Sequence, residues 1–173
     1  MSAASRVPSL AILMVLLIGS WIPTNAAVPP PTDDAIDKIV DRYIGGPLAE
    51  VWQGAVRLER LGDDSIGGVQ QLLTHENRSV RLMASKALLS LGEAEGVRDV
   101  LIAIGENGDA PSVERSAAIS LMSDFRDKPT ERSLRAIAES EAKGDSLLRV
   151  AVGKCLYQVT RDRFSALLAR TSN

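Results

Sequence analysis

Aromatic side chains make up only 3% of this 173-residue chain, and strands normally draw on aromatic and β-branched residues. Their scarcity, beside abundant Ala and Leu, argues against a sheet protein and for helices. There is one cysteine, Cys155, so no internal disulfide can form and the fold must rest on apolar packing. There is one histidine, His75, so no histidine-based metal cluster can be assembled. Neither sign of charge dominates: 20 Lys and Arg face 22 Asp and Glu, for a net charge of -2. The basic run that neutralises nucleic-acid phosphates is missing.

Long apolar runs are confined to the N-terminus. Arg6 is the only charged residue before Asp33, and Leu10 to Ile22 is interrupted only by Gly19 and Ser20. That run is too short for the roughly 30 Å hydrocarbon core of a membrane. Pro23 follows it, and Thr24-Asn25-Ala26 supplies small residues suited to signal peptidase. We therefore expect residues 1–26 to be a signal peptide and the chain to be exported, periplasmic or secreted. Association with a membrane is expected only if this segment stays uncleaved as an anchor. Residues 27–33, with Pro29-Pro30-Pro31, read as an extended spacer, and residues 34–173 as the folded domain.

Within that domain apolar residues recur at helical spacing. Ile36, Ile39, Val40 and Tyr43 define a first helix, ended by Gly45-Gly46-Pro47; Leu48, Val51, Trp52, Ala55, Leu58 and Leu61 define a second, ended by Gly62. The chain then repeats itself. Arg60-Leu61-Gly62 returns 30 residues later as Ser90-Leu91-Gly92, after a short helix holding Ile66, Val69, Leu72 and Leu73 and a longer one from Val80 to Leu91. Further short helices hold Val97, Val100, Leu101 and Ile104, and then Leu134, Ile137 and Ala138. Aligning the longer helices places Val80, Val113 and Leu148 in one row, Ala84, Ala117 and Val152 in a second, and Leu88, Leu121 and Leu156 in a third. Asn77, Asp109 with Pro111, Asp127 with Pro129, and Asp145 stand where helix starts need caps.

Val80-Arg81-Leu82-Met83-Ala84-Ser85-Lys86-Ala87-Leu88 resembles the second helix of HEAT-like repeats, including those of the phycobilin-lyase type, and Val113-Glu114 and Leu148-Arg149 resemble it more loosely. The resemblance covers roughly residues 48–160. It implies an all-α fold: a short right-handed α-solenoid of about three to four antiparallel helix pairs. It also implies scaffold or binding roles more than catalysis, since that family includes scaffolds, chaperones and a few enzymes.

The residues themselves offer little chemistry. His75 reads as a solvated turn residue, Cys155 as a core thiol, and the Asp33-Asp34 and Asp63-Asp64 pairs as helix-start charges. We expect no enzyme and no cofactor or metal. Arg78, Arg81, Lys86, Arg115, Arg149 and Lys154 form a row that Glu114 interrupts, so nucleic acid is not an expected partner. At 100° per residue, Val80, Ala84, Ala87 and Leu91 point into the stack. An opposite apolar stripe then comprises Leu82, Lys86, Leu89, Arg115, Ile119, Met122, Lys154 and Tyr157. That stripe is either the surface for an unidentified protein partner or is covered by the 36–43 helix or the 164–168 segment. The expected function is a non-catalytic interaction module or scaffold of the cell envelope. The alternatives are a lyase-like repeat enzyme and a regulatory subunit of an exported enzyme.

Overall fold

The structure, a computed structural model, describes residues 33–141 and 144–171, with side chains described as far as residue 161. The expected signal peptide, nearly all of the proline spacer and the side chains of the 164–168 segment lie outside the described residues. Eight α-helices and three short 3₁₀ turns, with no strand, make up the described residues. They are α1 Asp33–Tyr43, α2 Leu48–Glu59, α3 Ile66–Gln71, α4 Arg78–Ser90, α5 Val97–Glu106, α6 Ser112–Leu121, α7 Lys128–Ser140 and α8 Ser146–Thr171. The described part of the chain is thus all-α. Among the described residues no helix is both long and apolar enough to cross a membrane.

Local chemistry sets the boundaries. Asn77 caps α4, its side-chain oxygen accepting from the Ser79 and Val80 amides at 2.8 and 3.4 Å. Asp127 caps α7 by accepting from the Thr130 amide at 2.8 Å, with Pro129 in the first turn. Burial alone would raise the Asp127 carboxyl, but the Thr130 amide and Arg98 together hold it below the usual carboxylate range. Asp145 accepts from the Leu147 amide at 2.7 Å at the start of α8. The expected cap at Asp109 is not formed: Pro111 precedes α6, and no side chain caps that helix. The two Leu-Gly sequences both end helices, because Gly62 and Gly92 adopt φ of 78° and 83°, a left-handed turn that side chains disfavour.

Helices pack in consecutive pairs, α1 with α2, α3 with α4, α5 with α6 and α7 with α8, and the second members also pack on one another, α2 on α4 and α6 on α8 most extensively. One apolar core runs from Ile36 and Val51 through Leu88, Leu101 and Leu134 to Leu148 and Val159. Fully burying each such side chain contributes on the order of 1.5–3 kcal/mol. Gly54 lets α2 approach its neighbours: a Cβ there would lie 2.7 Å from the Met83 sulfur and 3.2 Å from the Tyr43 Cβ.

The second helices begin at Leu48, Arg78, Ser112 and Ser146, so 30, 34 and 34 residues apart. This corrects the alignment of the middle unit by one residue. Glu114, not Val113, lies between Val80 and Leu148 in the repeat, and Val113 is 49% exposed. Likewise Ala118 stands with Ala84 and Val152, all essentially inaccessible. The 34-residue spacing also restores a row of arginines, Arg81, Arg115 and Arg149. Arg81 donates to the carbonyls of His75 and Glu76 at 2.6 and 2.9 Å, and Arg115 to that of Gly105 at 3.0 Å. In both units the guanidinium satisfies carbonyls at or just beyond the end of the preceding short helix, which have no partner within it.

Candidate functional site

The stripe expected from the helical wheel does not exist as one surface. Leu82, Ile119 and Met122 are fully buried, and Arg115 is 6% exposed. Lys86 and Leu89 are half-buried, whereas Lys154 and Tyr157 are exposed. Two causes combine. A helix inside the stack, such as α4, touches α2, α3, α5 and α6, so it has more than one buried face. The one-residue slip then turns α6 by about 100°, carrying Ile119 and Met122 inward. Their direction is confirmed at Gly105, where a Cβ would meet Ile119 and Ile137 at 3.4 Å and the Met122 sulfur at 3.8 Å. The 36–43 helix, offered as a cover for the stripe, packs instead on α2 and α3.

What the second helices leave open is a groove of about 530 Å³ between α2 and α6, floored by α4. The α2 wall is Leu48, Trp52 and Val56, spaced i, i+4, i+8; the α6 wall is Ser116, Ala117, Ser120 and Leu121. Lys86 rises from α4 between them. Its size falls within the range of about 300–1,000 Å³ typical of ligand sites. Helix α2 builds the wall because it carries two apolar stripes: Val51, Ala55 and Leu58 are buried, while Leu48 and Trp52 are half-buried and Val56 is 41% exposed. Sequence reasoning placed Leu48 and Trp52 in one core-facing set with Val51, Ala55 and Leu58, and left Val56 out. The signal that distinguishes them is the extra apolar width of the helix, which exceeds what one buried face needs.

A second depression of about 350 Å³ adjoins the first, sharing Trp52 and Val56 and bordered by Arg57 and Arg60. The charged residues lining the two depressions are Arg57, Arg60 and Lys86, all cationic. Lys86 donates to the Ser90 hydroxyl at 3.3 Å, and among the described residues none of the three forms an ion pair with a carboxylate.

The residues weighed as nucleophile and base lie elsewhere. His75 sits in the turn before α4, half-buried rather than freely solvated, and its Nδ1 accepts from the Asn77 amide at 3.0 Å. Cys155 is 2% exposed on α8, and burial, aided by Asp124, pushes its thiol up to about 11, leaving little thiolate at neutral pH. Among the described residues no three His, Cys, Asp or Glu side chains are grouped to hold a metal ion. Arg115 forms the best-shielded ion pair described, 2.8 Å from Glu141 with side-chain exposures of 7% and 16%. The Arg78–Glu114 pair at 3.1 Å, reinforced by the Ser79 hydroxyl, ties α4 to α6. These contacts hold neighbouring units in place and lie away from the groove walls. No family model matches the chain, and no curated protein or solved structure matches it.

Proposed function

We propose that the chain is a non-catalytic protein-interaction module, a short α-solenoid of HEAT-like pairs exported to the cell envelope, which takes a partner segment in the groove between α2 and α6. The observation that carries this reading is the second apolar stripe on α2. Leu48, Trp52 and Val56 are more than the core requires, and they open onto a concavity rather than onto scattered surface. The rest of the lining, Ala117 and Leu121 with two serine hydroxyls, suits an apolar segment with a few polar contacts. The charged lining is cationic, and the two residues weighed as base and nucleophile, His75 and Cys155, sit outside the groove. Arg–carboxylate clamps between units favour a rigid platform, the condition for a preorganised binding face.

The test compares proteins crosslinked in the envelope fraction by the unaltered chain and by a Val56→Asp, Ser120→Tyr double variant. Both positions are exposed, so the melting temperature should stay within about 2 °C. At least one protein crosslinked by the unaltered chain should be lost with the variant, by roughly tenfold or more. Recovery of the same set with both would contradict a docking role for the groove.

A further inference from the structure

We infer that the segment this groove accepts is acidic as well as apolar, presenting an apolar side chain to Trp52 with carboxylates on either side. The inference rests on the docking reading above and adds the chemistry of the occupant. Trp52 and Val56 form the ridge between the two depressions, so a segment lying across both would pass Lys86 on one side and Arg57 and Arg60 on the other. The chain as a whole carries more acid than base, yet among the described residues these three cations are left without a carboxylate. Of the other basic groups, Lys38 pairs with Asp34, Arg78 with Glu114, Arg98 with Asp99 and Asp127, Arg115 with Glu141 and Arg135 with Glu131, while Arg42, Arg81, Lys128, Arg132 and Lys154, also without a carboxylate among the described residues, line neither depression. An apolar ridge with cations on both sides is complementary to an acidic amphipathic segment, and the positive flanks steer such a partner into register. A nucleic acid fits less well. Trp52 is the one aromatic side chain lining the groove, and three cations neutralise few phosphates.

The sequence supplies its own reporter. It holds two tryptophans, Trp21 and Trp52, so a full-length chain with Trp21→Phe emits from the groove alone. We would titrate it with a short synthetic peptide bearing leucines at helical spacing flanked by glutamates, with Gln-for-Glu and Lys-for-Glu versions of it, and with oligothymidine. The expected result is a shift of Trp52 emission with the glutamate peptide, binding roughly tenfold tighter than the glutamine version and weakening as salt rises. A Lys86→Gln, Arg57→Gln variant should bind the glutamate peptide roughly tenfold less tightly and the glutamine peptide unchanged. Equal or tighter binding of the glutamine or lysine peptide overturns the inference and leaves the docking reading standing. Tighter binding of oligothymidine, or no response to the glutamate peptide, also overturns it. If Trp52 responds to no peptide and Val56→Asp, Ser120→Tyr leaves crosslinking unchanged, both readings fall together.

Discussion

Ala118→Asp should abolish cooperative folding, whereas Val113→Asp, five residues earlier on the same helix, should leave stability within about 0.5 kcal/mol. Ala118 is inaccessible, and its equivalents Ala84 and Val152 are likewise closed off, so a carboxylate there meets neither water nor a partner. Leaving a charge in that position costs several kcal/mol even after a pKa shift, comparable to the roughly 5–15 kcal/mol that stabilises a typical domain. Val113 is 49% exposed in the first turn of α6, where a negative charge is favoured by the helix dipole. Urea denaturation followed by far-UV circular dichroism separates the two outcomes. The experiment also decides the register, because aligning the chain on Ala117 makes Val113 the inward position and Ala118 the outward one.

Removing the guanidinium of Arg115 is the second large effect. Arg115→Met keeps most of the apolar stem but leaves the Glu141 carboxylate, 16% exposed, without its cation and the Gly105 carbonyl without its donor. Breaking one side of a shielded pair costs about 3–5 kcal/mol, far above the 0–1 kcal/mol of a surface pair. We expect about 3 kcal/mol, since Glu141 keeps some solvent and is also reached by the Asp145 amide at 3.4 Å. The mechanism predicts partial rescue: Arg115→Met combined with Glu141→Gln should recover at least about 1 kcal/mol, because the second change removes the stranded charge. Denaturant midpoints at constant slope would measure both. An Arg115→Met chain as stable as the parent would mean that the clamp between α6 and the end of α7 carries no weight.

Much of the fold was legible because local rules and burial agree here. Asn77 and Asp127 cap the helices they were expected to cap, Gly62 and Gly92 end theirs, and the absence of strands among the described residues follows from a sequence poor in aromatic residues. The misreadings share a physical origin. A helical wheel assigns one buried face to each helix, but α4 and α6 are enclosed by neighbours on several sides, so Leu82, Ile119 and Met122 disappear from the surface. The loop ahead of α6 determines which residue begins that helix, and a single residue of slip exchanged Val113 for Glu114. Glu114 is hydrogen-bonded to Arg78 and Ser79, so it looks like a break in the pattern while serving the contact between units. The groove was missed for the opposite reason. Leu48, Trp52 and Val56 are as apolar as core residues, and only the position of α6 across from them leaves their stripe uncovered.

That α2 and α6 face each other across an open groove, with Leu82, Ile119 and Met122 sealed inside, is tested most directly by thiol accessibility. On a Cys155→Ser background, single changes Val56→Cys, Lys86→Cys and Ser120→Cys sample the groove, and Leu82→Cys, Ile119→Cys and Met122→Cys sample the interior. The first three should react with maleimide at close to the rate of a free thiol and the last three at least roughly a hundredfold more slowly, since exposure controls access. Fast labelling at positions 82, 119 and 122, or protection at 56, 86 and 120, would contradict it.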